Sequence, residues 1–122
     1  MTDKTTVVLG ASPNPGRFSH KAVRLLKRKG FDVIPVGRRK GEIEGIPLQP
    51  YEVKIEKPVH TVSIYLSPEI QKQFYDLILS FRPRRVIFNP GTENEELEQM
   101  LQDRGAEIVR HCTLKMLHKN IF

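Results

Sequence analysis

Two stretches of this chain have the residue types and spacing to hold an anion. The first is Gly10-Ala11-Ser12-Pro13-Asn14-Pro15-Gly16-Arg17, which follows a short apolar run and leads into a helix near Phe18 or Ser19. A strand-to-helix turn of this kind offers free N–H groups, and the helix dipole adds roughly half a unit of positive charge. That setting suits a phosphate. Arg17 and Ser19 can add donors, while Pro13 and Pro15 donate nothing but stiffen the turn. Gly10 and Gly16 stand too far apart for the GxGxxG fingerprint of dinucleotide sites, so a plain tight connection is the competing reading.

The second stretch is Gly37-Arg38-Arg39-Lys40, at the end of the second expected strand. A domain that binds NAD places an acidic residue there, for the ribose 2′-hydroxyl. Cations suit a phosphorylated ribose instead, as in coenzyme A or NADP. For Arg39 and Lys40 a solvent-facing basic loop explains the residues equally well.

Other reactive residues make no constellation. His20, His60, His111 and His118 are scattered, and His111, Cys112 and His118 fit no zinc-ligand spacing. Cys112 falls at an expected helix start, a place that lowers a thiol pKa, but no histidine–carboxylate partner for it is evident. The acidic run Glu93, Glu95, Glu96 and Glu98 reads as the first turn of a helix. No metal site and no catalytic set is assigned.

The elements that must position these residues alternate. Thr5–Gly10 is an apolar, β-branched strand, followed by a helix to Lys29 that stops at Gly30. Phe31–Val36 is a second strand, in which Pro35 demands an end or a gap in the ladder. Gly37–Pro58 shows no helical pattern and reads as a long irregular loop. Val59–Leu66 is a third strand. Ser67, Pro68 and Glu69 then open a helix whose apolar stripe is Ile70, Phe74, Leu77, Ile78 and Phe81. Arg84–Phe88 is a fourth strand and Asn89-Pro90-Gly91 breaks it. Thr92 and Glu95 suggest a capping box for a third helix, ended by Gly105. Ala106–Val109 is a fifth strand, and Thr113–His118 a short closing helix. The order β-α-β-loop-β-α-β-α-β predicts an α/β, Rossmann-like three-layer domain with a five-stranded, mainly parallel sheet. Every strand-to-helix loop then meets at the carboxyl edge of the sheet, where ligands of such folds sit.

The 122 residues suffice for one domain spanning the whole chain. A hydrophobic fraction of 39% with 28% charged residues is an ordinary globular balance. No apolar run approaches a membrane span, and Met1–Lys4 does not resemble a secretion signal. With a single cysteine there is no internal disulfide, which points to the reducing cytoplasm. The formal charge of +6 favours anionic partners without choosing among them.

The run Val7-Val8-Leu9-Gly10-Ala11-Ser12-Pro13-Asn14-Pro15-Gly16-Arg17-Phe18-Ser19-His20 resembles the opening of the small stand-alone CoA-binding proteins. Gly30–Val36 resembles their second strand. Gly45-Ile46-Pro47, Asn89-Pro90-Gly91 with Asn94-Glu95-Glu96, and His111-Cys112 follow in the family's order. That family looks like the CoA-binding N-terminal domain of the succinyl-CoA synthetase alpha subunit. The resemblance implies a Rossmann-like fold with CoA lying across the first turn and the ends of the later strands. By position, Gly10, Ala11, Ser12, Pro13, Arg17, Phe18 and Ser19 would surround the phosphates. Gly37 and Arg38 would lie near the adenosine. Tyr65, Leu66 and Ser67, with Asn89, Pro90 and Gly91, would line the remainder. The chain departs from the pattern at Gly37-Arg38, where the family has asparagine–proline, and at Pro90, where it tends to have glutamine before the glycine. The synthetase's phosphorylated histidine belongs to a second domain, so the resemblance carries no ligase chemistry.

The expectation is a non-catalytic module that binds coenzyme A or an acyl-CoA, serving alone, as a homo-oligomer or with a partner enzyme. Two other functions compete. An NADP-dependent oxidoreductase, or a fragment of one, shares the argument from Arg38 but lacks a substrate domain. A basic RNA- or protein-interaction domain is suggested by the charge. It is disfavoured because the aromatic residues fall mostly at core positions and not in a stacking set.

Overall fold

The structure is a computed structural model that describes residues 4–122. Met1–Asp3, part of the segment read for a secretion signal, lie outside the described residues. Five strands form one parallel sheet: β1 (Thr6–Leu9), β2 (Val33–Val36), β5 (Thr61–Ile64), β6 (Arg85–Phe88) and β7 (Glu107–Arg110), in the spatial order β2-β1-β5-β6-β7. A two-stranded antiparallel hairpin, β3 (Glu42–Ile43) and β4 (Ile46–Pro47), lies apart from it. The helices are α1 (Phe18–Arg28), α2 (Pro68–Gln71), α3 (Tyr75–Ser80), α4 (Glu95–Gln102) and α5 (Thr113–His118).

The layers follow from strand periodicity. Successive side chains of a strand point to opposite faces. In β1, Val7 and Leu9 join a cluster with Ile78, Leu79, Leu97 and Leu101 from α3 and α4. Val8 joins the opposite cluster, with Val23 and Leu26 of α1 and Leu117 of α5. All four residues of β1, β5 and β6 are buried, as helices on both faces require.

Three local expectations are revised. The stretch Gly37–Pro58 is not wholly irregular: it holds the β3–β4 hairpin, turned through Glu44 and Gly45 at φ of 48° and 83°. Its far end returns to β2, where Gln49 donates to the Pro35 carbonyl and accepts from the Gly37 N–H. Pro35 therefore sits on the outermost strand and no full ladder meets its outer side. The helix after Ser67 is not continuous either. It tightens into a 3-10 turn at Lys72–Phe74, and Phe74 leaves helical geometry at φ −120°, ψ 14°. Immediately before this turn, Gln71 is fully buried and donates to the carbonyls of Leu66 and Thr92 at 2.8 Å each. These bonds hold α2 against the β6–α4 connection and leave Ile70 exposed instead of in the apolar stripe.

The third revision concerns α4. Thr92 does not cap it. The Thr92 hydroxyl donates to the Asn89 carbonyl, and Asn94 is the N-cap, accepting from the Leu97 N–H while Glu98 accepts from the Asn94 N–H.

One glycine is fixed by contact. A Cβ on Gly37 would stand 2.1 Å from the Ala11 carbonyl oxygen, backbone that cannot swing aside. Gly37→Ala is expected to destabilise the domain by about 3 kcal/mol or more, read as a lowered urea midpoint at unchanged slope.

Candidate functional site

The first turn is held from below. The N–H groups of Gly10 and Ala11 both donate to the Val36 carbonyl at 2.9 Å. Beyond them the turn closes on itself: Asn14 N–H donates to Ser12 Oγ, Gly16 N–H to Asn14 Oδ1, and Arg17 N–H to the Asn14 carbonyl. Most of the donors that sequence left free are thus consumed in shaping the loop. Among the described residues nothing accepts from the N–H groups of Ser12, Phe18, Ser19 or His20, and Arg17 at the N-cap supplies no side-chain cap. The open backbone donors are therefore those of Ser12 and of the first turn of α1.

A cavity of about 600 Å³ opens above this turn, over the ends of β1 and β5. Here the strand order reverses, because β1 passes to β2 on one side while β5 leads away on the other. Of the residues singled out from sequence, the cavity wall includes Gly10, Ala11, Ser12, Pro13, Arg17, Arg38, Tyr65, Leu66 and Ser67. It also includes Asn14, Arg39, Tyr51 and Ile70.

The other six residues lie elsewhere. Phe18 is exposed, with the Lys21 ammonium 5.3 Å from its ring centroid, and Ser19 is buried in α1. Gly37 lies beneath Ala11 and acts through packing. Asn89 is buried with its amide fully occupied. Its Nδ2 donates to Ser63 Oγ and the Ile64 carbonyl at 2.9 Å, and its Oδ1 accepts from the Thr113 N–H at 2.8 Å. It joins β5, β6 and α5 and leaves nothing for a ligand. Pro90 and Gly91 are exposed beyond the wall, and the Gly91 N–H is taken by Glu93.

Tyr51 had no periodic signal, since it lies in the loop between β4 and β5. In the structure its ring stacks on Phe74, with centroids 4.0 Å apart and planes 20° from parallel. The kink at Phe74 makes that contact possible. Ile70 was assigned to the core stripe, and only the burial of Gln71 turns it outward. Ser67 serves as the expected N-cap, accepting from the Ile70 N–H at 3.5 Å.

The electrostatics are one-sided. Arg17, Arg38 and Arg39 are exposed, and none pairs with a carboxylate among the described residues. Burial pushes the Tyr51 phenol above its ordinary value, partly offset by the charge of Arg38. Burial pushes Tyr65 up much further, with a smaller contribution from Cys112, so its hydroxyl stays protonated. The wall therefore joins a cationic rim of Arg17, Arg38 and Arg39 to the side chains of Tyr51, Tyr65, Leu66 and Ile70.

Fold and site together define a Rossmann-like α/β domain with its cavity at the switch point. The family model described as CoA binding domain matches residues 4–118, and the chain belongs to that family. It is 25% identical over 115 residues to the uncharacterised protein YneT of Bacillus subtilis (strain 168), covering 94% of this chain and 85% of that one. A crystal structure of an uncharacterised protein superposes over 100% of both chains at a TM-score of 0.92 and 45% identity. A Thermus thermophilus protein, cell-free ID.343, matches at 0.86 and 28% identity, over 98% of this chain and 90% of that one.

Two histidines report on the packing. His20, in the first turn of α1, is buried, and desolvation with the charge of Arg24 lowers its pKa below 6.5. Desolvation and then Arg85 lower His60 likewise. The folded state binds these protons less readily than the unfolded chain does. Stability is therefore complete above pH 6.5 and falls as the pH drops through that value toward the lowered ones. Both imidazoles are expected to titrate below 6.5 by NMR, with denaturation midpoints declining over the same interval.

Proposed function

We propose that the cavity binds coenzyme A or its acyl thioester and that the domain is a holding module. The observation that carries this is the continuity of one wall, from Ser12 and Arg17 through Arg38 and Arg39 to Tyr51, Leu66 and Ile70. Membership of the CoA-binding family supports the ligand. The first turn of α1 and Arg17 would take the diphosphate, where free N–H groups and the helix dipole coincide. Arg38 and Arg39 would meet the ribose phosphate, since guanidinium forks pair with phosphate oxygens. The pantetheine arm would run along Leu66 and Ile70.

Calorimetry with CoA, dephospho-CoA, NADP and a short RNA separates the possibilities. CoA is expected to bind more tightly than about 1 mM and more tightly than dephospho-CoA. Absence of heat with CoA would falsify the assignment, and equal binding of the two would remove Arg38 and Arg39 from the phosphate. Arg17→Ala should weaken CoA by about 1–3 kcal/mol with the fold intact. Tyr51→Ala should weaken it too, and lose the stack on Phe74.

A further inference from the structure

The parallel sheet ends in two outer strands, β2 and β7, and the two edges differ. β2 is guarded on its outer side. Pro35 has no N–H to offer, its carbonyl accepts from Gln49, and the Gly37 N–H donates back to the Gln49 carbonyl. β7 has no neighbour on its outer side among the described residues. Glu107 donates its N–H to the Arg84 carbonyl and His111 donates its own to that of Phe88. Glu107, Val109 and His111 thus turn their backbone groups toward β6. Ile108 and Arg110 turn theirs outward, where they find no partner among the described residues.

Edge strands are commonly protected by free charge. Here Arg110 is tied to Glu98 of α4 at 3.0 Å. Ile108 shares that face with it, and Glu107 and Val109 lie on the other. Ile108 and Val109 are each half-buried, so the middle of the strand is apolar on both faces. Glu107 is exposed and has no ion pair among the described residues.

The open groups select one register for an antiparallel pair of two such strands, because outward residues must face outward residues. Ile108 opposite Ile108 would bring Ala106 against Arg110, but the Ala106 N–H already donates to Leu101. Arg110 opposite Arg110 would need the Cys112 N–H, which donates to His111 Nδ1 at 2.7 Å. Ile108 opposite Arg110 uses open groups alone. It sets Val109 on the two-fold axis, facing its own copy with Cα atoms about 4.5 Å apart. It also sets Glu107 opposite His111. With Nδ1 accepting from Cys112, the neutral ring carries its proton on Nε2, a donor suited to a carboxylate.

We propose that β7 docks a second copy of this chain and that the sheet continues across a two-fold axis in this register. The strand complements itself in open backbone groups, in apolar contact at Val109 and in charge at Glu107 and His111. A strand of four residues makes a small interface, so the dimer forms reversibly. β6 separates it from β5 and the switch-point cavity, and it does not rest on the function proposed there.

Sedimentation equilibrium is expected to show a monomer–dimer equilibrium with a Kd of about 100 µM or tighter. In hydrogen exchange read by NMR above and below that concentration, the Ile108 and Arg110 amides should gain protection as the dimer forms. Those of Glu107 and Val109 should be protected at both. Val109→Lys sets two ammonium groups face to face and should abolish the dimer with the circular dichroism unchanged. His111→Glu should weaken the dimer by opposing two carboxylates, and adding Glu107→Lys should restore it, which a mere loss of folding would not allow. A chain that stays monomeric at millimolar concentration overturns the proposal. This includes a monomer whose Ile108 and Arg110 amides are protected by an added alternating Thr–Val peptide, since the edge would then serve another partner. A dimer that leaves those two amides unprotected, or one that the charge exchange fails to restore, overturns it as well.

Discussion

The backbone of Gly37 passes directly beneath the first turn, leaving no room for a Cβ against the Ala11 carbonyl. One residue earlier, the Val36 carbonyl receives the N–H groups of both Gly10 and Ala11. These contacts lock the end of β2 to the end of β1, and the cavity exists because of that lock. It sets where the turn rises, where α1 begins and where Arg38 leaves the sheet. The departure from the family's asparagine–proline pair at Gly37-Arg38 acquires a physical meaning here: glycine permits the approach, and arginine follows it into the cavity wall.

The lock also divides the work of the first turn. Backbone donors near β1 maintain shape, while those of Ser12 and the first turn of α1 remain open. A loop that bound an anion with every N–H would have nothing left to hold itself in place. Rigidity comes from Pro13, Pro15 and the Asn14 side chain, which together close the turn without help from a ligand. Preorganisation of this kind lowers the cost of ordering a loop on binding.

A second buried polar set organises the other side of the cavity. Asn89 ties β5 and β6 to α5, and Gln71 ties α2 to the loop before α4. Each amide is fully satisfied, as burial in a low-dielectric interior demands. Their effect on the site is indirect but decisive. Gln71 anchors α2 inward, the tight turn at Lys72–Phe74 follows it, Phe74 stacks on Tyr51, and Ile70 stands at the cavity. Asn89, by contrast, was a ligand candidate only by its place in the family resemblance, and its amide is turned inward.

Strand identity, layer order and the place of the cavity were legible in the chain itself. Fully apolar β-branched runs, helix caps and the alternation of elements are local or periodic signals, and they depend little on distant partners. The place of the turn Gly10–Arg17 at the cavity was equally legible, because a strand-to-helix connection is written in consecutive residues. Sequence could not decide which polar groups face a ligand and which face the core. Asn89 and Gln71 turn inward, and Tyr51, Ile70 and Arg39 reach the cavity, only because segments far apart in the chain pack together. The direction a side chain takes is set by the neighbours that satisfy or exclude it, and those neighbours come only from the tertiary structure.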